Sequence, residues 1–144
     1  MKNNYRLLSK YAIHIAFSIA WLSTLGSLYF SQILKLVPCE LCWFQRILMY
    51  PLVILFTVAL VRKDKNVAYY ALPMSTIGAG IATYQYLLQM TPLKETTPFQ
   101  CNLSTPCSEI QFSLLGFITI PFLSFAAFAT ISILMIILIK SKVK

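Results

Sequence analysis

Four long apolar runs, at about residues 11–30, 43–61, 67–88 and 120–139, restrict this chain more than any other feature, and Arg46 is the only charged residue within them. At about 1.5 Å of rise per residue, some 20 helical residues cross about 30 Å of hydrocarbon. Inside hydrocarbon every backbone N–H and C=O must be satisfied within the protein, and runs of this length do so as helices. Composition agrees: 58% of the 144 residues are hydrophobic and 11% are charged, with a mean hydropathy of +0.73. Soluble domains carry about 25% charged residues. The expected fold class is an all-α membrane protein, a four-transmembrane-helix bundle forming one domain over residues 1–144. A cleaved signal peptide would have an apolar core of only roughly 7–15 residues followed by a small-residue site. The run 11–30 has neither feature and is expected to be retained.

Local signals refine this outline. Pro51 should kink the second helix without ending it, because neighbouring helices can satisfy the freed backbone groups. Arg62–Asn66 is too short and too charged to be anything but a tight turn. Ser75, Ala79 and Ala82, with Gly78 and Gly80, would let a neighbouring helix approach the third run closely. Pro121 suits the first turn of a helix, so the fourth helix is expected to begin near Ile120. That leaves residues 108–119 as a short amphipathic surface helix before the last span.

The basic residues set the orientation. Lys2, Arg6 and Lys10, then Arg62, Lys63 and Lys65, then Lys140, Lys142 and Lys144 form three patches holding nine of the twelve. With four spans, both termini and the Arg62–Asn66 turn share one side, and positive charge marks that side as cytoplasmic. The external loops are then 31–42 and 89–119, which carry only Lys35 and Lys94. Basic patches lying between membrane spans also argue against a nucleic-acid partner; the partner they fit is the bilayer surface. His14 falls near the cytoplasmic end of the first span, far from the cysteines, and is read as interfacial.

Both cysteine pairs, Cys39/Cys42 and Cys101/Cys107, fall on the external side. In Pro38-Cys39-Glu40-Leu41-Cys42-Trp43-Phe44-Gln45-Arg46 the first pair stands where a polar turn meets an apolar run. If the chain is helical from Trp43, both thiols sit at a helix N-terminus, whose roughly +0.5 charge favours the attacking thiolate. Arg46 shares a helix face with Cys42, about 6 Å further along the axis. Three readings compete. Two disulfides could staple the loops; the four sulfurs could form a Cys₄ metal site, in a membrane module without redox catalysis; or each pair could cycle between dithiol and disulfide. An oxidising exterior works against four reduced thiolates, and C-x₂-C at a helix start suits thiol oxidoreduction, so the redox relay leads. Its electrons need an acceptor. The chain has no Gly-rich dinucleotide fingerprint, and its single histidine excludes a bis-histidine haem. A quinone dissolved in the bilayer remains, and Arg46 at head-group depth could polarise its carbonyl; otherwise Arg46 is a snorkelling interfacial arginine.

The motif Pro38-Cys39-x-Leu41-Cys42-x-x-x-Arg46, the four spans and a second cysteine pair between the third and fourth together resemble the DsbB family of disulfide-forming membrane proteins. The close second pair and the run Gln45–Pro51 look most like its Gram-positive BdbC branch. The resemblance covers essentially the whole chain. It implies a protein-dithiol:quinone oxidoreductase in a bacterial cell membrane, reoxidising a thioredoxin-like thiol oxidase (DsbA/BdbD-like) and using menaquinone or ubiquinone. Cys101 would be attacked by the partner's thiolate, Cys107 would exchange with Cys39, and Cys42 would face the quinone beside Arg46. Gln85 matches a polar position that in relatives lies near the quinone; the plainer reading is a helix–helix hydrogen bond. The Gram-negative relatives separate the second pair by a longer loop, so the resemblance leaves the geometry and order of the exchange between Cys107 and Cys39 open here. A vitamin K epoxide reductase-like enzyme would share the bundle but carry C-x₂-C beside its last span, not before the second.

Overall fold

Each apolar run folds as one helix. The computed structural model describes residues 2–35, 38–90, 113–114 and 118–143. The helices are α1 (Lys2–Gln32), α2 (Glu40–Arg62), α3 (Val67–Met90) and α4 (Ile120–Val143). They form an antiparallel ring in which α1 and α3 each pack against both α2 and α4. Pro51 does not end α2, and Pro73 likewise lies inside α3. The fourth helix begins at Ile120, as Pro121 leads one to expect.

The α2–α3 turn closes tightly. Lys63 adopts the left-handed conformation at φ 53°, with its N–H on the Leu60 carbonyl, while the Asp64 N–H reaches the Ala59 carbonyl at 2.9 Å. This paired closure satisfies two carbonyls that the helix end would otherwise leave open. The Asp64 side chain then accepts the Asn66 N–H at 2.8 Å.

Among the described residues, three helical segments are long and apolar enough to cross a membrane: Tyr11–Gln32, Glu40–Arg62 and Ile120–Ser141. The third run is helical over its expected length, but α3 is not in that set. Tyr69, Tyr70, Tyr84, Gln85, Tyr86 and Gln89 dilute its hydropathy. The surface helix expected at 108–119 is not what the described part shows. Ser113–Leu114 and Ile118–Thr119 pair instead as two short antiparallel strands, β1 and β2. β-Branched Ile118 and Thr119, with Gly116 in the intervening sequence, favour that outcome over a helix. The rest of 108–119 lies outside the described residues.

Between apolar helices in lipid there is little hydrophobic drive, so close packing must hold the bundle. Leu52 and Phe56 of α2 meet Phe128, Ile131, Met135 and Leu138 of α4 in a core where none is more than 1% exposed. The small residues of α3 admit α4: Ser75 and Ala82 are fully buried, and a Cβ on Gly78 would lie 2.5 Å from the Phe128 ring. Gly80 was expected to share that role and does not, since a Cβ there would meet nothing within 4 Å. One hydrogen bond spans the contact, from Ser132 Oγ to Ser75 Oγ at 2.8 Å.

Candidate functional site

Helix α2 starts three residues earlier than its apolar run, and this shift builds the site. Cys39 is the N-cap, in extended conformation (φ −70°, ψ 169°), and its carbonyl accepts the Trp43 N–H at 3.1 Å. Cys42 therefore lies in the first turn, and the two sulfurs stack on one side of the helix start. They are 3.1 Å apart, with Cys39 Sγ donating to Cys42 Sγ. Cys39 is 7% exposed. Its hydrogen bond to Cys42, followed by burial, pushes its thiol well above the ordinary cysteine range.

Helix α3 supplies the second contact to the sulfurs. Gln85, 2% exposed, donates from Nε2 to Cys39 Sγ at 3.1 Å and to Cys42 Sγ at 3.3 Å. Its Oε1 accepts Nε2 of Gln45 from α2 at 2.7 Å. Gln85 thus makes the interhelical bond its isolated position suggests, but it also touches both sulfurs. The sequence reading overlooked Gln45. The available signal was the only carboxamide of α2, placed three residues after Cys42 and so on its face.

A cavity of about 430 Å³ opens between α1, α2 and α4 at the cysteine end. Its wall is mostly apolar, with Leu22, Phe30, Met49, Leu123 and Phe128, and its polar residues include Cys42, Gln45 and Arg46 beside Ser23, Ser27 and Ser124. Cys42 lines it, whereas Cys39 and Gln85 do not. Arg46 is half-buried; its Nη2 donates to the Ser27 carbonyl of α1 at 3.1 Å, and its guanidinium carbon lies 5.6 Å from the Trp43 ring centre. Among the described residues Arg46 makes no hydrogen bond to either sulfur; it shares the cavity with Cys42 instead. Cys101 and Cys107 lie outside the described residues.

Such a sulfur pair can be oxidised to a disulfide and reduced again, and one of its sulfurs faces a ligand-sized apolar space. Comparison with known proteins leads the same way. The family model described as "Disulfide bond formation protein DsbB" matches residues 9–138. "Disulfide bond formation protein C" of Bacillus subtilis is 47% identical over 127 residues, 88% of this chain and 91% of that protein. "Probable disulfide formation protein C 1" of Bacillus anthracis is 43% identical over 133 residues, 92% of this chain and 95% of its own. "Probable disulfide formation protein" of Coxiella burnetii is 42% identical over 132 residues, covering 92% and 90%. No solved structure matches.

Proposed function

The chain belongs to the DsbB family, a membrane oxidoreductase of disulfide-bond formation, and we propose that it reoxidises an external thioredoxin-like thiol oxidase and passes the electrons to a membrane quinone. In this reading α3 is the fourth span of a single-domain bundle, both termini and the Arg62–Asn66 turn are cytoplasmic, and both cysteine pairs are external. A thiolate of the partner attacks the Cys101–Cys107 disulfide, forming a mixed disulfide at Cys101 and releasing Cys107. The partner's second thiol then displaces Cys101, which leaves the partner oxidised and Cys101/Cys107 as a dithiol. Exchange of that dithiol with the Cys39–Cys42 disulfide moves two electrons onto the pair at the head of α2.

The cavity fits a quinone in size and in chemistry. Sites for such ligands are typically about 300–1,000 Å³, apolar with a few placed polar groups, and here Arg46 and Gln45 stand on a mostly apolar wall beside Cys42. A quinone bound there would supply the two-electron acceptor. Arg46 is charged at any working pH and offers N–H donors to an electron-rich oxygen, while its bond to Ser27 holds it in place. Cys39, buried off the cavity, serves exchange; Cys42 serves the cavity.

The observation that carries this reading is the position of Cys42, at once 3.1 Å from Cys39 Sγ and on the cavity wall. The test is reduction of a short-chain quinone by the purified chain supplied with a reduced thioredoxin-like oxidase. Cys42→Ser should bring turnover to background, and Cys107→Ala should accumulate a mixed disulfide at Cys101. Full turnover in Cys42→Ser would sink the proposal. A Cys₄ metal module is not favoured by the family; stoichiometric zinc on four reduced thiols would revive it.

A further inference from the structure

We propose that Gln45 is a positioning residue for the cysteine pair: its amide holds the Gln85 amide with both N–H groups on the two sulfurs, and this donor pair favours the dithiol over the disulfide. The inference rests on reading Cys39 and Cys42 as a redox couple and adds what sets its balance. Gln45 and Gln85 are 6% and 2% exposed. Two amides are not buried among apolar helices without partners to offset the loss of hydration, and the partners here form one directed chain. Gln45 Nε2 donates to Gln85 Oε1 at 2.7 Å, and Gln85 Nε2 donates to Cys39 Sγ and Cys42 Sγ at 3.1 and 3.3 Å. Nε2 carries two hydrogens, so both sulfurs can be served together.

A carboxamide can turn over about its last side-chain bond. Reversed, Gln85 would present its oxygen, an acceptor, to the sulfurs. The Gln45 donor at Oε1 favours the orientation with the donors on sulfur, and Gln45 reaches it from a position one turn from Cys42 on the same helix. Thiol and thiolate sulfurs accept hydrogen bonds better than disulfide sulfurs, so these bonds stabilise the reduced couple and make the disulfide a stronger oxidant. Gln85 touches the reacting atoms; Gln45 acts through it.

The test equilibrates the full-length protein in detergent with glutathione buffers. The protein dithiol gives up two electrons and two protons and closes one S–S bond, while one glutathione disulfide takes them up as two thiols. Acid quenching, alkylation and mass analysis of the peptide bearing Cys39 and Cys42 read that couple alone. Gln85→Met should shift the constant toward the disulfide by roughly tenfold, the scale of one hydrogen bond to sulfur, or about 30 mV for two electrons. Gln45→Met should shift it the same way by about threefold or more. The double variant should go no further than Gln85→Met, because Gln45 works only through Gln85. Methionine keeps the volume of both side chains, and thermal unfolding of each variant confirms the fold. A constant within twofold of wild type in Gln45→Met, or additive single effects, overturns the positioning role. Quinone reduction by the unaltered chain, run alongside, separates the two readings. Normal turnover with unmoved constants removes only the role of the amides; shifted constants without turnover remove only the quinone.

Discussion

The two ends of the bundle are held together by different physics. At the cysteine end, α2 and α3 meet through directional bonds: Gln45 to Gln85, Gln85 to two sulfurs, and Arg46 across to the Ser27 carbonyl of α1. In the other half, α3 and α4 meet through shape, with Gly78 under the Phe128 ring and Leu52 and Phe56 closing the core. A cavity sits beside the first and none of the core residues Leu52, Phe56, Ile131, Met135 or Leu138 lines it. Packing builds the scaffold, and the polar chain that joins α2 to α3 lies at the sulfurs.

This division predicts its own largest effect. Gly78→Val puts a branched side chain where even a Cβ would be 2.5 Å from the Phe128 ring, which is 1% exposed and would have to be displaced toward the cavity it lines. Overpacking of this kind costs about 1–3 kcal/mol or more, so folded yield and thermal stability in detergent should fall steeply. Phe128→Ala should be destabilising alone, by about 3–5 kcal/mol, yet should absorb most of the further loss from Gly78→Val. Additive losses would show that the contact is not what couples α3 to α4.

Changes at the cysteine end should move chemistry and leave the fold standing. Arg46→Met removes the only charge among the described residues that line the cavity. Bonds to charged groups contribute about 1.5–3 kcal/mol, so the KM for a short-chain quinone should rise by about tenfold to a hundredfold. Arg46→Lys keeps the charge without the planar fork and should fall between. Exchange at Cys101 should stay near normal in both. An unchanged KM in Arg46→Met would make Arg46 an interfacial anchor and detach the cavity from the quinone.

The packed half has one polar contact of its own, and it sharpens the contrast. Ser132 Oγ donates to Ser75 Oγ, and both side chains also have backbone carbonyls within reach, Leu72 for Ser75 and Phe128 for Ser132. Ser132→Ala should therefore lose only about 1 kcal/mol of stability, with no change in quinone reduction. A loss of turnover at full stability would mean that the two halves are functionally joined.

What could be read in the sequence follows the same line. The Arg62–Asn66 turn and the starts of α3 at Val67 and α4 at Ile120 are local matters of hydropathy, charge and proline, and the structure has them as expected, whereas α1 begins at Lys2 rather than near Tyr11 and α2 at Glu40 rather than Trp43. The cysteine pair at a helix start was legible too, although the structure starts the helix three residues earlier, making Cys39 the cap and placing Cys42 in the first turn. Gln45 was not, because its importance lies in a partner forty residues away on another helix. Gly80 misled for the same reason: a small residue opens a contact only if it faces the neighbour, and the 3.6-residue turn points Gly78 at Phe128 and Gly80 away. The surface helix expected at 108–119 misled because it followed from where α4 begins and left Gly116 and the β-branched Ile118 and Thr119 unweighed.

The smallest predicted effect lies at the turn farthest from the cysteines, and its sign is opposite to that at Gly78. Lys63 holds φ 53°, a conformation in which a Cβ crowds the following carbonyl and which glycine adopts freely. The turn nevertheless needs this geometry, since it brings the Asp64 N–H onto the Ala59 carbonyl. Lys63→Gly should relieve the crowding and keep both closing bonds; the added freedom of the unfolded chain takes back part of the gain. The net should be an increase in stability of a few tenths to about 1 kcal/mol, read as a small rise in the thermal midpoint in detergent, with quinone reduction unchanged. Arg62 and Lys65 keep most of the positive charge of the turn. A lowered midpoint would mean that the Lys63 side chain contributes more at this surface than its backbone strain removes. Glycine at 78 is demanded by a neighbour's ring, whereas at 63 only the backbone asks for it, and the two substitutions together separate contact from conformation.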